Sequence, residues 1–292
     1  MIEPFNPAFF RRLQQLKIRT RRAFLGSRQG SHISLQRGHG LEFADYRPYS
    51  PGDDFRHIDW GIYGRTDRLY VRQFRSERDI NVVMLVDSSR SMGFPAGEGK
   101  FEMARDLALS LGYSALADGD SVSFVMLGAR KTPHYVGPRA IRTAITELGK
   151  VRPDYSFDLL DATRAAISEQ RIPARCFFLS DFLVPEESYS SALDLLQNKN
   201  FEVSVVQVLA PGEQSLEEDT GIEIAVDAET GEEIAVNIDS AALRDYELAL
   251  GRHNLGLERY CARSGISYVL VSSGELITDV VLTKFPKAGL LR

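Results

Sequence analysis

The stretch 80-INVVMLVDSSRSM-92 constrains this chain more than any other. Residues 80–86 are apolar apart from Asn81 and show no polar alternation, so a strand there must be covered on both faces. Strands of that kind belong to parallel sheets joined by crossover helices. The run ends at Asp87, and Ser88, Ser89, Arg90 and Ser91 follow. In open parallel sheets, ligands sit outside the carboxyl ends of the strands, where helices leave on opposite faces. An extended backbone would turn Asp87, Ser89 and Ser91 to one side. Carboxylate and hydroxyl oxygens, with no sulfur or imidazole beside them, suit a hard ion such as Mg²⁺, Mn²⁺ or Ca²⁺ rather than zinc. The plainer alternative is that these side chains cap the helix starting near Lys100 or satisfy turn amides.

From Asn81 onward the sequence alternates between strand-like and helix-like segments, which predicts an α/β domain over 80–292. KFEMARDLALSLGYSALADGD carries Met103, Leu107, Leu111 and Leu116 near helical spacing. SVSFVML and the buried run ARCFFLSD read as strands, FEVSVVQVL and ISYVLVSS as further ones, and TPHYV as a short edge strand. Helices are predicted over RAIRTAITELGKV, DLLDATRAAISEQR, SYSSALDLLQNKN and SAALRDYELALGRHNLGLERYCARSG. Between 212 and 237 the text turns acidic, and GIEIAVDAETGEEIAVNI alternates like an inserted β-hairpin turning at Ala228 to Glu232.

Residues 1–79 read as an N-terminal extension. Between Pro4 and Leu41 there are eight Arg or Lys and no acid, although the whole chain has a net charge of -5. Such a segment either binds nucleic acid or an acidic membrane surface, or docks as an amphipathic helix through Phe9, Leu13, Leu16 and Ile18. No window approaches the roughly 18 apolar residues that a membrane span needs. The first residues lack the apolar stretch and cleavage site of a secretory signal, so the expected location is cytoplasmic. Cys176 and Cys261 have neither the number nor the spacing of a disulfide framework or zinc site, and read as buried thiols.

Asp-x-Ser-x-Ser after the first strand of an α/β sheet resembles the metal-ion-dependent adhesion site of von Willebrand factor type A domains. The resemblance implies a Rossmann-like, mostly parallel sheet flanked by helices. It also implies a site completed by an aspartate from a later strand end, here Asp181 in FFLSDF, and by a threonine from another loop. Where that family reads Gly-Gly-Thr-Asp-Leu, this chain reads 155-YSFDL-159, with Phe157 in the hydroxyl position and Ser156 beside it. The implied site is therefore Asp87, Ser89, Ser91, Ser156 and Asp181, a degenerate one holding Mg²⁺ or Mn²⁺ weakly or not at all.

The run 38-GHGLEFADYRPYSPGDDFRHIDWGIYGRTDRLYVRQF-74, a few residues before that strand, is similar to the bacterial domain-of-unknown-function family fifty-eight (DUF 58). Shared features are G-x-G-x-E-F, R-x-Y-x-P-G-D-D-x-R-x-I-D-W and L-x-V-x-x-F. Relatives are commonly encoded beside MoxR-type AAA+ ATPases and other type A domain proteins, which implies partners of both kinds. Read physically, Arg47, Asp53, Asp54, Arg56, Asp59 and Arg65 can lock a loop by Arg-carboxylate pairs, with Trp60 anchoring it by burial. The segment would then be a structural clasp or a partner-facing surface.

No Walker A loop, dinucleotide fingerprint, nucleophile elbow or zincin motif occurs. The leading expectation is a non-enzymatic interaction module, an adaptor or cofactor of a MoxR-type ATPase in protein assembly or maturation. A metal-dependent hydrolase or nuclease using Asp87 and Asp181, with Asp53, Asp54 or Asp59 added, is the alternative from another class. Nucleic-acid binding through Arg11 to Arg37 is the third.

Overall fold

The computed structural model describes residues 5–20, 41–49, 58–76, 80–129, 131–215, 221–226 and 233–292. Two compact units divide the chain, Met1–Gly26 with Ile80–Arg292, and Ser27–Asp79. The N-terminal helix therefore groups with the α/β domain, and the predicted extension is not one piece. That helix, α1 (Pro7–Leu13), starts at Asn6, whose side chain accepts from the Phe9 amide at 2.9 Å, with Pro7 in the first turn. Phe9 and Leu13 are buried, as the amphipathic reading requires. Ile18 lies beyond the helix in an antiparallel bridge with Leu291, so the amino-terminal segment is tied to the carboxyl-terminal one.

The smaller unit contains β1 (Leu41–Pro48), α2 (Trp60–Thr66) and β2 (Tyr70–Ser76), with the two strands antiparallel. Helix α2 was not evident in the sequence: it has seven residues, two of them glycines, and no full apolar stripe. Asp59 caps it, accepting from the Gly61 and Ile62 amides at 2.9 and 3.1 Å. Arg65 Nε donates to the Gly61 carbonyl inside the same helix. Trp60 corrects the burial expectation: it is 62% exposed and meets Tyr63 edge-on, because the first turn of a short helix points its side chain outward. Asp53, Asp54 and Arg56, like His57, lie outside the described residues, as does the Arg47 side chain.

The larger unit holds β3 (Asn81–Val86), α3 (Lys100–Ala117), β4 (Ser121–Met126), β5 (Lys131–Val136), α4 (Ile141–Leu148), α5 (Leu159–Ile167) and β6 (Ala174–Ser180). After these come α6 (Glu186–Asn198), β7 (Phe201–Leu209), α7 (Pro211–Gln214), the hairpin β8 (Gly221–Val226) and β9 (Glu233–Ile238), α8 (Ser240–Arg263) and β10 (Ser267–Ser272). Six strands form one sheet in the order β10-β7-β6-β3-β4-β5, parallel except for the edge strand β5. The architecture is thus a mixed α/β fold with a mostly parallel sheet flanked by helices. Strand β3 sits between β6 and β4 and is buried at every position, as its unbroken apolar run demands. One core cluster joins α1, α3 and α4 to one sheet face, and a second joins α5, α6 and α8 to the other. Helix α3 is buried almost throughout, and Gly112 lets it approach β4: a Cβ there would run into the Phe124 ring.

The acidic hairpin forms as read, with Val226 paired to Glu233, and its turn lies outside the described residues. Cys176 and Cys261 are buried free thiols, and burial pushes both up to about 12. Among the described residues, no helix is long and apolar enough to cross a membrane.

Candidate functional site

Parallel strands share a carboxyl edge, so residues following adjacent strands in the order β7-β6-β3 converge there. Asp87 follows β3 and Asp181 follows β6, as the sequence placed them. Glu213 joins them from α7, just beyond the end of β7. The Asp87 amide donates to the Leu179 carbonyl at 2.8 Å, so pairing with β6 runs to the aspartate itself.

Asp87 is 4% exposed. One carboxylate oxygen accepts from the Ser89 amide at 2.8 Å and the other from Ser180 Oγ at 2.6 Å. Burial, and next the nearby negative charge of Asp181, push its carboxyl up to about 6, against the pull of the Ser180 and Ser89 hydrogen bonds. Ser88 is buried and donates to the Leu127 carbonyl, so it belongs to the scaffold. Ser89 and Ser91 turn to the same side, with hydroxyl oxygens 3.0 Å apart. The capping alternative fails for the long helix, since α3 starts from Gly99 with no side-chain cap.

The loop expected to supply the missing oxygen does reach this edge. Tyr155 forms a parallel bridge with Ser89, its carbonyl accepting from the Arg90 amide at 2.9 Å. Ser156 is exposed, and Asp158 caps α5 by accepting from the Asp161 amide at 2.9 Å. The Phe157 ring lies half-buried against Gly128, where a built Cβ would come within 2.8 Å of it. Phe157 thus fills space with carbon where the resemblance places a hydroxyl.

The sequence reading missed Lys100. Its ammonium is buried, 2.9 Å from Asp181 Oδ2 and 2.5 Å from Glu213 Oε1. Asp181 Oδ1 accepts from the Leu183 amide at 3.2 Å, and Glu213 Oε2 from the Ala210 amide at 2.8 Å. Burial raises the Glu213 carboxyl, with Lys100 acting against the rise. The loop before Lys100 is stitched to the same helix, since Glu98 accepts from the Gly212 amide at 2.8 Å. A signal existed: Lys100 lies on the stripe of Met103, Ala104, Leu107 and Leu111, where an isolated lysine would be too costly to bury. Glu213 had none, being four residues past a strand in a one-turn helix.

Phe182, directly after Asp181, is fully buried with φ of 52°, in the left-handed region that costs a bulky residue on the order of 1–3 kcal/mol. Its amide donates to Ser180 Oγ at 3.0 Å, and its carbonyl lies 2.8 Å from His253 Nε2. Gln207 Nε2 donates to the Asp181 carbonyl at 2.9 Å. The strand-end turn is held from β7 and α8, which fixes the Asp181 carboxylate toward Lys100.

A hard ion fits these residues only in part. Adjacent oxygens around a six-coordinate ion at about 2.1 Å lie about 3.0 Å apart, which the two serine hydroxyls match. The remaining positions do not match. Asp181 faces an ammonium, Asp87 is engaged by a hydroxyl and an amide, and Phe157 offers no oxygen. Among the described residues, no three His, Cys, Asp or Glu converge as a metal-holding group. The donor set does not fit a tightly held ion.

The family model "Protein of unknown function DUF58" matches residues 45–255. The chain is 28% identical over 291 residues to "Uncharacterized protein Rv1480" of Mycobacterium tuberculosis (strain ATCC 25618 / H37Rv), covering 94% of this chain and 89% of that one. It is 27% identical to "Uncharacterized protein YeaD" of Bacillus subtilis (strain 168) over 97 residues, 33% of this chain and 23% of that one. Among solved structures it is similar to a conserved hypothetical protein BatB from Bacteroides thetaiotaomicron, with TM-score 0.43, 17% identity, and 72% and 98% coverage of the two chains. It is also similar to an aerotolerance-related membrane protein from Bacteroides fragilis NCTC 9343, with TM-score 0.42, 15% identity and the same 72% and 98% coverage.

Proposed function

Starting from the fact that this chain belongs to the DUF58 family, we propose that it is a non-enzymatic protein-interaction module. In this reading a von Willebrand factor type A-like domain presents the carboxyl edge of its sheet to partner proteins. One observation carries the proposal: large apolar side chains are exposed on the loops of that edge. Phe94 follows the Asp-x-Ser-x-Ser loop at 58% exposure, and Tyr155, bridged to Ser89, is 38% exposed. Leu183, two residues past Asp181, is 38% exposed, and Leu276, after β10, is 69% exposed. Apolar groups gathered around a polar centre are what a protein interface uses. The chemistry at the centre agrees, since each acid is held by amides, hydroxyls or Lys100, and the hydroxyl on Asp87 Oδ2, that of Ser180, is buried and also accepts from the Phe182 amide.

The partner class follows from the family resemblance: a MoxR-type AAA+ ATPase, together with another type A domain protein, in protein assembly or maturation in the cytoplasm. The test mixes the purified chain with the purified MoxR-type ATPase of the same organism, with ATP and without nucleotide. Complex formation under ATP supports the adaptor role. If the ATPase binds a second type A domain protein under the same conditions but not this chain, the role is lost.

A further inference from the structure

We propose that the Lys100 ammonium is the resident cation of this strand-end site, taking the place that a bound metal ion holds in an adhesion-type site, so that the site works without metal. The inference rests on the type A-like reading above. Its test needs no partner, however, so either claim can fail alone.

The argument begins with charge. Asp181 and Glu213 bring carboxylates from beyond the ends of β6 and β7 into one buried region, and such a pair requires a positive charge within reach. A divalent ion is one solution. This chain contains another, a lysine with its side chain 1% exposed and its nitrogen within 2.9 Å of carboxylates from two different strand ends. The ammonium bridges Asp181 and Glu213, so one element, α3, clamps the ends of β6 and β7. A divalent ion brought next to Asp181 would stand beside that ammonium, and like charges at such distances repel strongly in a dry site.

Two independent features agree. Phe157 places a ring against Gly128, filling carbon where an additional oxygen ligand would be needed. Glu213, which has no place in the adhesion-site pattern, supplies the lysine with its second acceptor, and Glu98 fixes α7 so that Glu213 can do so. The chain thus lacks a ligand the ion needs and possesses a partner the lysine needs. A partner protein docking on this edge would meet serine hydroxyls and apolar loops rather than an open coordination position, and chelators would not release it.

The experiment titrates Mn²⁺ into the wild type, Lys100→Met, Phe157→Thr and the double variant Lys100→Met/Phe157→Thr, and records melting with Mn²⁺ and with EDTA. The wild type should show no binding at micromolar Mn²⁺ and the same melting temperature in both conditions. Phe157→Thr alone should bind no better, because the ammonium remains. Lys100→Met should melt lower by on the order of 5 °C or more. It should also gain Mn²⁺ affinity by about tenfold or more and recover stability as Mn²⁺ is added, with the double variant tighter still. If Lys100→Met fails to fold, Lys100→Met/Asp181→Asn/Glu213→Gln removes all three charges and should fold and bind no Mn²⁺. Micromolar Mn²⁺ binding by the wild type overturns the proposal. So does a Lys100→Met protein that melts early yet gains nothing from Mn²⁺, since Lys100 would then be an ordinary buried ion pair.

Discussion

Replacing Asp87 by Asn should change how stability depends on pH, and the sign can be worked out from the site. The carboxyl is pushed from 3.8 up to about 6 by burial and by Asp181. Between those values the folded protein holds a proton that the unfolded chain has released, so stability from this group falls as pH rises. Well below pH 3.8 Asp87 is neutral in both states and the penalty is absent. Above about pH 6 it is charged in both, and the folded state bears the full cost of a buried carboxylate. A shift of roughly 2 units corresponds to about 3 kcal/mol. Asparagine has nearly the same shape: its oxygen can still accept from the Ser89 amide, and the Ser180 hydroxyl can turn to accept from its amide nitrogen. Denaturant unfolding of wild type and Asp87→Asn at intervals from pH 4 to 7.5 measures the difference, and Glu213, present in both, cancels from it. The variant should gain on the wild type by about 2 kcal/mol across that interval, the rest of the effect lying below pH 4. A flat difference, or a wild type that gains on the variant as pH rises, would refute the account of Asp87 as a desolvated carboxylate.

Two glycines give expectations opposite to helix propensity or loop tolerance. Gly112→Ala in α3 adds about 1 kcal/mol of helix propensity, but its Cβ would strike the Phe124 ring and lie 3.4 Å from Val122. The net effect should be a loss of about 1–3 kcal/mol in denaturant unfolding, and a stabilised variant would mean the helix can move off the sheet. Gly128→Ala meets Tyr155 Cβ at 2.7 Å and the Phe157 ring at 2.8 Å, at a φ of +83°. It should cost about 2–4 kcal/mol, and unaltered melting would show that the 155–157 loop is not held against Gly128.

The sheet was legible because its constraint is local. A buried parallel strand needs an apolar run, and β3, β6 and β7 each have one, so Asp87 and Asp181 could be placed at the same edge before any coordinates. The hairpin was legible for a similar reason, since alternation over six residues on either side of a turn leaves few other structures. What escaped was non-local. Lys100 and Glu213 are 113 residues apart, and nothing within either segment says that they meet. Helix α2 escaped because capping by Asp59, not periodicity, defines it, and Trp60 was misjudged because composition says nothing about which way a first-turn side chain points.

The central claim is that the carboxyl edge of the sheet is a protein-binding surface. The most direct measurement is the affinity of the purified chain for the MoxR-type ATPase with ATP, compared among wild type, Phe94→Asp, Leu183→Asp and a control, Leu248→Asp, whose side chain on α8 is 62% exposed. The account expects Phe94→Asp and Leu183→Asp each to weaken binding by about tenfold or more, with the control leaving it unchanged. Equal binding by all four proteins would contradict it.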